Sequence, residues 1–135
     1  MKSIIKDTIF ELEINKSRFI TLLYKVDSLD IVKDKLNEVK DLYKDATHYC
    51  YAYIINDNKK SSDDGEPGGT AGVPIMEVLL KNDLNFVLCV VVRYFGGIKL
   101  GAGGLVRAYS KSVSNSLNED NIVELIPGYK IMFNS

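Results

Sequence analysis

Phe86-Val87-Leu88-Cys89-Val90-Val91-Val92-Arg93-Tyr94-Phe95-Gly96-Gly97-Ile98-Lys99-Leu100-Gly101-Ala102-Gly103-Gly104-Leu105-Val106-Arg107 runs from apolar to glycine-rich to amphipathic without a break. Phe86 to Val92 is almost unbroken in apolar residues, the pattern of a strand covered on both faces. It empties into the turn Gly96 to Gly104, where glycines permit positive φ, and a helix is expected from Leu105 to Leu117. Backbone N–H groups in such a turn converge on one spot beside the positive end of a helix dipole. Arg93, Lys99 and Arg107 bracket that spot, so the candidate anion-binding set is Arg93, Gly96, Gly97, Lys99, Gly101, Gly103, Gly104 and Arg107. No Gly-Lys-Ser/Thr follows, which excludes a Walker loop, and no dinucleotide fingerprint fits. The plainer alternative is that these glycines only let helix and strand pack closely.

Charge favours the anion reading. Asp83 and Glu119 are consecutive acids in the chain, although 18 acids in 135 residues would place about five between them. Arg93, Lys99, Arg107 and Lys111 stand in that window. A buried strand excludes acids only from its own few residues, so the carboxylate-free helix after it suits an anionic ligand.

Working outward, Tyr49 to Ile55 is rich in aromatic and β-branched residues and reads as a strand. Phe10, Leu12 and Ile14 alternate with polar residues, and Phe19 to Val26 forms a second run. Asn15-Lys16 between them predicts an antiparallel hairpin. Ser28 is placed to cap a helix whose Leu29, Val32, Leu36, Val39 and Leu42 recur at helical spacing. Asn56 to Thr70 reads as a long loop, and Thr70 as the cap of a helix through Leu80, with Pro74 tolerated in its first turn. The expected fold class is α/β, an α+β sandwich in which helices pack on a mixed sheet. Ile122 to Phe133 looks strand-like but is broken by Pro127-Gly128, so residues 1–120 are expected as one domain and 121–135 as a linker or the start of another.

Asp63-Asp64-Gly65-Glu66-Pro67-Gly68-Gly69-Thr70 forms a second, acidic pole with His48. Its three carboxylates suit Mg²⁺, proton transfer or pairing with Arg93 and Lys99, whereas Asp in a turn ordinarily caps backbone and faces solvent. The ligand register of an EF-hand is absent. His48, Cys50 and Ala52 share one strand face and Tyr49, Tyr51 and Tyr53 the other. A Cys/His nucleophile is disfavoured, since nothing around Cys50 predicts a depressed thiol pKa. The tyrosines suit either base stacking or, more commonly, packing under a helix.

A mass of 15.1 kDa fits one domain that needs no staple. The net charge of -1 and 46% hydrophobic content exclude a disordered chain and any polyanion binder recognisable from pI alone. The longest apolar run is too short to span a bilayer, and the N-terminus turns charged too early for a signal peptide, so a cytoplasmic location with no membrane partner is expected. Cys50 and Cys89 match no metal-ligand spacing and read as buried free thiols. Neither metal nor cofactor is expected.

Lys16–Ile20, Ala46–Cys50, Ser62–Pro74 and Val90–Tyr109 are similar to the signature stretches of the YigZ/Impact family. That resemblance implies the fold of the second domain of ribosomal protein S-five, and a ferredoxin-like C-terminal domain usual in bacterial members, whose first strand would begin where this chain stops. It also implies a non-catalytic module regulating translational initiation, with RNA, a ribosomal component or a protein of the translation machinery as partner. The alternative is a small-molecule phosphotransferase or hydrolase that holds phosphate in the same glycine-rich turn.

Overall fold

A computed structural model describes residues 1–126. At its centre lies the apolar strand β6 (Val87–Tyr94), buried over Val87–Arg93. Around it run β1 (Lys2–Ile4), β2 (Thr8–Ile14), β3 (Ser17–Lys25), α1 (Leu29–Leu42), β4 (His48–Ile55), β5 (Asn58–Ser62), α2 (Gly72–Lys81), α3 (Gly101–Ser116) and β7 (Ile122–Glu124). The main sheet has the order β2-β3-β6-β4-β5. One helix covers one face and two the other, so the α+β class and the doubly covered central strand are as expected.

All four pairings in that sheet are antiparallel, rather than mixed. The reason lies in the crossovers. α1 joins β3 to β4, and α2 joins β5 to β6; each helix links two parallel strands, but another strand is inserted between them, so no parallel ladder forms. Asn15 and Lys16 both adopt positive φ in the predicted hairpin turn, as a two-residue connection matched to strand twist requires.

Strand alternation sorts the core into two layers. Phe19, Leu23, Cys50, Ala52, Cys89 and Val91 pack under α2 and α3. Ile20, Leu22, Leu88, Val90 and Val92 pack under α1, where Tyr49, Tyr51 and Tyr53 join them. The tyrosine stripe is therefore helix-covered packing. Ser28 caps α1 as expected, its hydroxyl accepting the Ile31 N–H at 3.3 Å.

Three expectations are corrected. The long loop at 56–70 contains a tight turn at Asn56-Asp57 and the edge strand β5, whose polar Asn-Lys-Lys-Ser-Ser composition suits a solvent-facing edge and resembles a loop. Thr70 does not cap α2; its hydroxyl donates to the Pro67 carbonyl, and Ala71 occupies the cap position. Finally, α3 starts at Gly101, four residues before the predicted start. Gly101 enters with φ +74°, and tertiary packing overrides the poor helix propensity of Gly103 and Gly104.

Residues 121–125 are tied to the N-terminus. Ile122–Glu124 pairs with Lys2–Ile4, the Asn121 carboxamide exchanges hydrogen bonds with the Lys6 backbone, and the Leu125 N–H donates to Met1. Residues 127–135, Pro127-Gly128 among them, lie outside the described residues.

Candidate functional site

Glu66 is the hub of a buried polar cluster. Its Oε2 accepts from Arg93 Nη1 at 2.7 Å and from the Tyr109 hydroxyl at 2.7 Å, while Oε1 lies 3.2 Å from His48 Nε2. His48 Nδ1 faces the Asp64 carbonyl oxygen at 2.8 Å. Both ring nitrogens thus face acceptor oxygens, one of the backbone and one of the Glu66 carboxylate. Arg93 Nη2 donates to the buried Ser17 hydroxyl oxygen at 3.3 Å, and Arg93 Nε is buried without a partner. Cys50 Sγ lies 3.0 Å from the Asp63 carbonyl oxygen and 3.3 Å from the Tyr109 hydroxyl.

Secondary structure explains the convergence. His48 and Arg93 are direct cross-strand neighbours on β4 and β6, and Phe19 faces Arg93 from β3. Tyr109 lies on the inward face of α3 and meets Phe19 edge-on at 5.3 Å. Glu66 arrives from the acidic turn. All three carboxylates of that turn are consumed by the protein itself. Asp63 Oδ1 accepts from the N–H groups of Ala71 and Gly72 and Oδ2 from Gly69, so Asp63 caps α2 from a distance. Asp64 Oδ2 accepts the Tyr49 N–H at 2.7 Å. Asp63 and Asp64 therefore play the ordinary backbone-capping role, and Glu66 pairs with Arg93 as one sequence reading allowed. Among the described residues no cluster of three His, Cys, Asp or Glu is arranged to hold a metal ion.

The same contacts remove Arg93 from the anion-binding set. Its guanidinium is sealed against Glu66 and Ser17, whereas Lys99 and Arg107 are exposed. The glycines also divide. A Cβ on Gly96 would strike the Lys16 carbonyl group and Ser17 nitrogen, so Gly96 is there for close packing of the loop against the β2–β3 turn. Gly101, Gly103 and Gly104 belong to the first turn of α3, with the Arg107 guanidinium folded back over Gly103. Arg107 and Lys111, one helical turn apart, line a shallow groove of about 340 Å³ with Ile14, Asn15, Leu100, Gly104 and Ala108.

Burial raises the Cys50 thiol to about 12, reinforced by Glu66, Asp64 and Asp63 and eased by the Tyr109 hydrogen bond. Burial likewise raises Tyr109, with Cys50 and Glu66 adding to it. Neither is primed as a nucleophile at neutral pH, in line with the sequence reading of Cys50. Sequence reasoning missed Tyr109 and Ser17 as members of the cluster. Tyr109 carried a signal, since it shares the helical stripe Leu105-Ala108-Tyr109-Ser112; Ser17 carried none.

Residues 15–117 match the Impact N-terminal domain family. The chain belongs to the Impact family. It is 52% identical over 117 residues to IMPACT family member YvyE of Bacillus subtilis, covering 84% of this chain and 54% of that protein. It is 43% identical over 112 residues to IMPACT family member YigZ of Escherichia coli, covering 79% and 55%. A crystal structure of a hypothetical protein, 38% identical, superposes with a TM-score of 0.82 over 85% of this chain and 58% of that one. This Impact-family chain thus spans about half the length of the relatives it matches. The four stretches that carried the family resemblance each send a side chain to the Glu66 cluster: Ser17, His48, Glu66 itself, and Arg93 with Tyr109. No helix among the described residues is long and apolar enough to cross a membrane.

Proposed function

We propose that this domain is a non-catalytic, translation-associated regulatory module that binds RNA phosphates through the groove between the β2–β3 turn and α3. The observation that carries the reading is the groove's charge. Arg107 and Lys111 line it without any carboxylate, and among the described residues neither side chain forms an ion pair. Lys99 stands exposed just before the helix. The unpaired cations of the second and third turns attract phosphate by charge, and at Lys99 the N–H dipoles of the helix start add to it. The translational setting rests on the family resemblance. The buried state of Cys50, Tyr109, Glu66 and Arg93 supports a binding role over the phosphotransferase or hydrolase alternative.

Fluorescence-anisotropy titration of an unstructured oligonucleotide at several salt concentrations tests the reading. With Lys99, Arg107 and Lys111 each neutralising one phosphate, the log–log slope is expected near -2.1, at about -0.7 per contact. Raising salt from about 50 to about 200 mM then weakens binding about twentyfold. Arg107→Ala should flatten the slope to about -1.4 and leave the melting temperature nearly unchanged. Absence of binding below about 1 mM at the lowest salt overturns RNA contact. Thermal stabilisation by a nucleotide with Mg²⁺ would instead support the enzyme.

A further inference from the structure

We infer that Phe95 is a stacking platform for a base of single-stranded RNA, held rigid by the buried Glu66–Arg93 pair beneath it; this rests on the RNA reading above. Phe95 is a large apolar side chain left 46% exposed immediately after the central strand. Its position is fixed on several sides. The Phe95 N–H donates to Thr47 Oγ1 at 2.9 Å, and the next N–H, of Gly96, donates to Ser17 Oγ at 3.2 Å. The Arg93 guanidinium lies 5.5 Å from the Phe95 ring centroid and 5.5 Å from that of Phe19. Arg93 is itself locked by Glu66 and Ser17, so Phe95 rests on a buried, immobile cation.

The backbone also brings Phe95 close to the groove. Arg93 and Phe95 lie on one side of β6 and its extension, the side that α2 and α3 cover. Gly96 touches the backbone of Lys16, and Asn15 next to Lys16 lines the Arg107–Lys111 groove. Phe95 and Asn15 are therefore each one residue from the same contact. A half-exposed aromatic ring whose backbone adjoins a cationic groove is what single-strand binders present: cations track the backbone and the ring takes a base. Pre-organisation matters because an ordered platform loses little freedom on binding. This gives the Glu66–Arg93 pair a positioning role rather than a catalytic one.

The chain contains no tryptophan, so Phe95→Trp installs a single reporter at the platform. Titration with an oligouridylate of about twelve nucleotides should quench its emission, with affinity near that of the unchanged protein. Phe95→Leu should weaken binding of the same oligonucleotide by about five- to a hundredfold, as loss of one stacked base does. Its salt slope should stay that of the unchanged protein, since no charge is lost. An abasic sugar-phosphate oligomer should not distinguish Phe95→Leu from the unchanged protein. Unquenched emission in Phe95→Trp, or equal oligouridylate affinity in Phe95→Leu with the salt slope intact, overturns the platform while leaving the phosphate groove standing. If the unchanged protein binds neither oligomer, the groove and the platform fall together.

Discussion

Glu66 and Arg93 meet at 2.7 Å with their side chains only 3% and 5% exposed, joining the acidic turn to the central strand across the layer beneath α3. The charges are compensated by more than each other. Tyr109 and His48 complete the carboxylate, and Ser17 takes a second guanidinium nitrogen. A buried pair is retained only with such additional partners, because desolvation otherwise exceeds the Coulomb attraction.

Glu66→Ala should therefore destabilise the domain by about 3–5 kcal/mol, since it strands the Arg93 charge in the interior. The loss is a large fraction of a typical domain's stability. Urea unfolding of Glu66→Ala, Arg93→Met and the double variant checks this. The double variant is expected to lose clearly less than the two single losses added together. Strict additivity would mean that the two residues act independently.

Asp63 caps α2 with three backbone donors at 2.8–3.1 Å. Burial would raise its carboxyl, but the N–H groups of Gly69, Gly72 and Ala71 together hold it below its ordinary value. The folded state thus prefers the ionised form, so this stabilisation is present above the unfolded pKa and is lost as pH falls through the lowered one. Asp63→Ala should cost about 1–2 kcal/mol at pH 7 and show less acid sensitivity below pH about 4. Equal pH dependence of the two proteins between pH 2 and 5 would exclude the cap as its source.

Gly96 and Gly68 make a matched pair of tests. A methyl group at Gly96 meets the Lys16 and Ser17 backbone, whereas one at Gly68 meets nothing within 4 Å. Gly96→Ala should lower stability by about 3 kcal/mol, with Gly68→Ala inside about 0.5 kcal/mol. Thermal melts of both variants suffice, and similar losses would show that the loop accommodates the extra carbon.

Alkaline unfolding should expose the buried thiols. Cys50 is raised by burial to about 12, and burial raises Cys89 as well. Both keep their protons in the folded state while the unfolded chain ionises near the ordinary value of 9.0. Stability is therefore complete below pH 9 and falls above it, by about 1.4 kcal/mol per pH unit for each thiol. Urea titrations at pH 8 and about 10.5 on the protein and on Cys50→Ala measure the difference. Iodoacetamide at pH 8 should label both cysteines only under denaturing conditions.

Local patterns were enough to show the elements that bury an apolar face. The run Phe86–Val92, the alternation before Asn15-Lys16 and the Ser28 cap each express a rule acting over a few residues; the last two appear as read, and the first as the strand Val87–Tyr94, with Phe86 at positive φ just before it. β5 was hidden because an exposed edge strand has the composition of a loop. The start of α3 was hidden because packing outweighed glycine's local preference. Sequence alone also brought out an acid-free basic window and an acidic turn, and Arg93 of the one pairs with Glu66 of the other. Which cation meets which carboxylate is a long-range question. Arg93 lies 27 residues from Glu66 and 76 from Ser17, and only the register of β3, β6 and β4 with the descent of α3 places them together. Burial then decided the outcome: the guanidinium taken out of water had to pair inside the protein, while Arg107 and Lys111 stayed exposed and form no ion pair among the described residues.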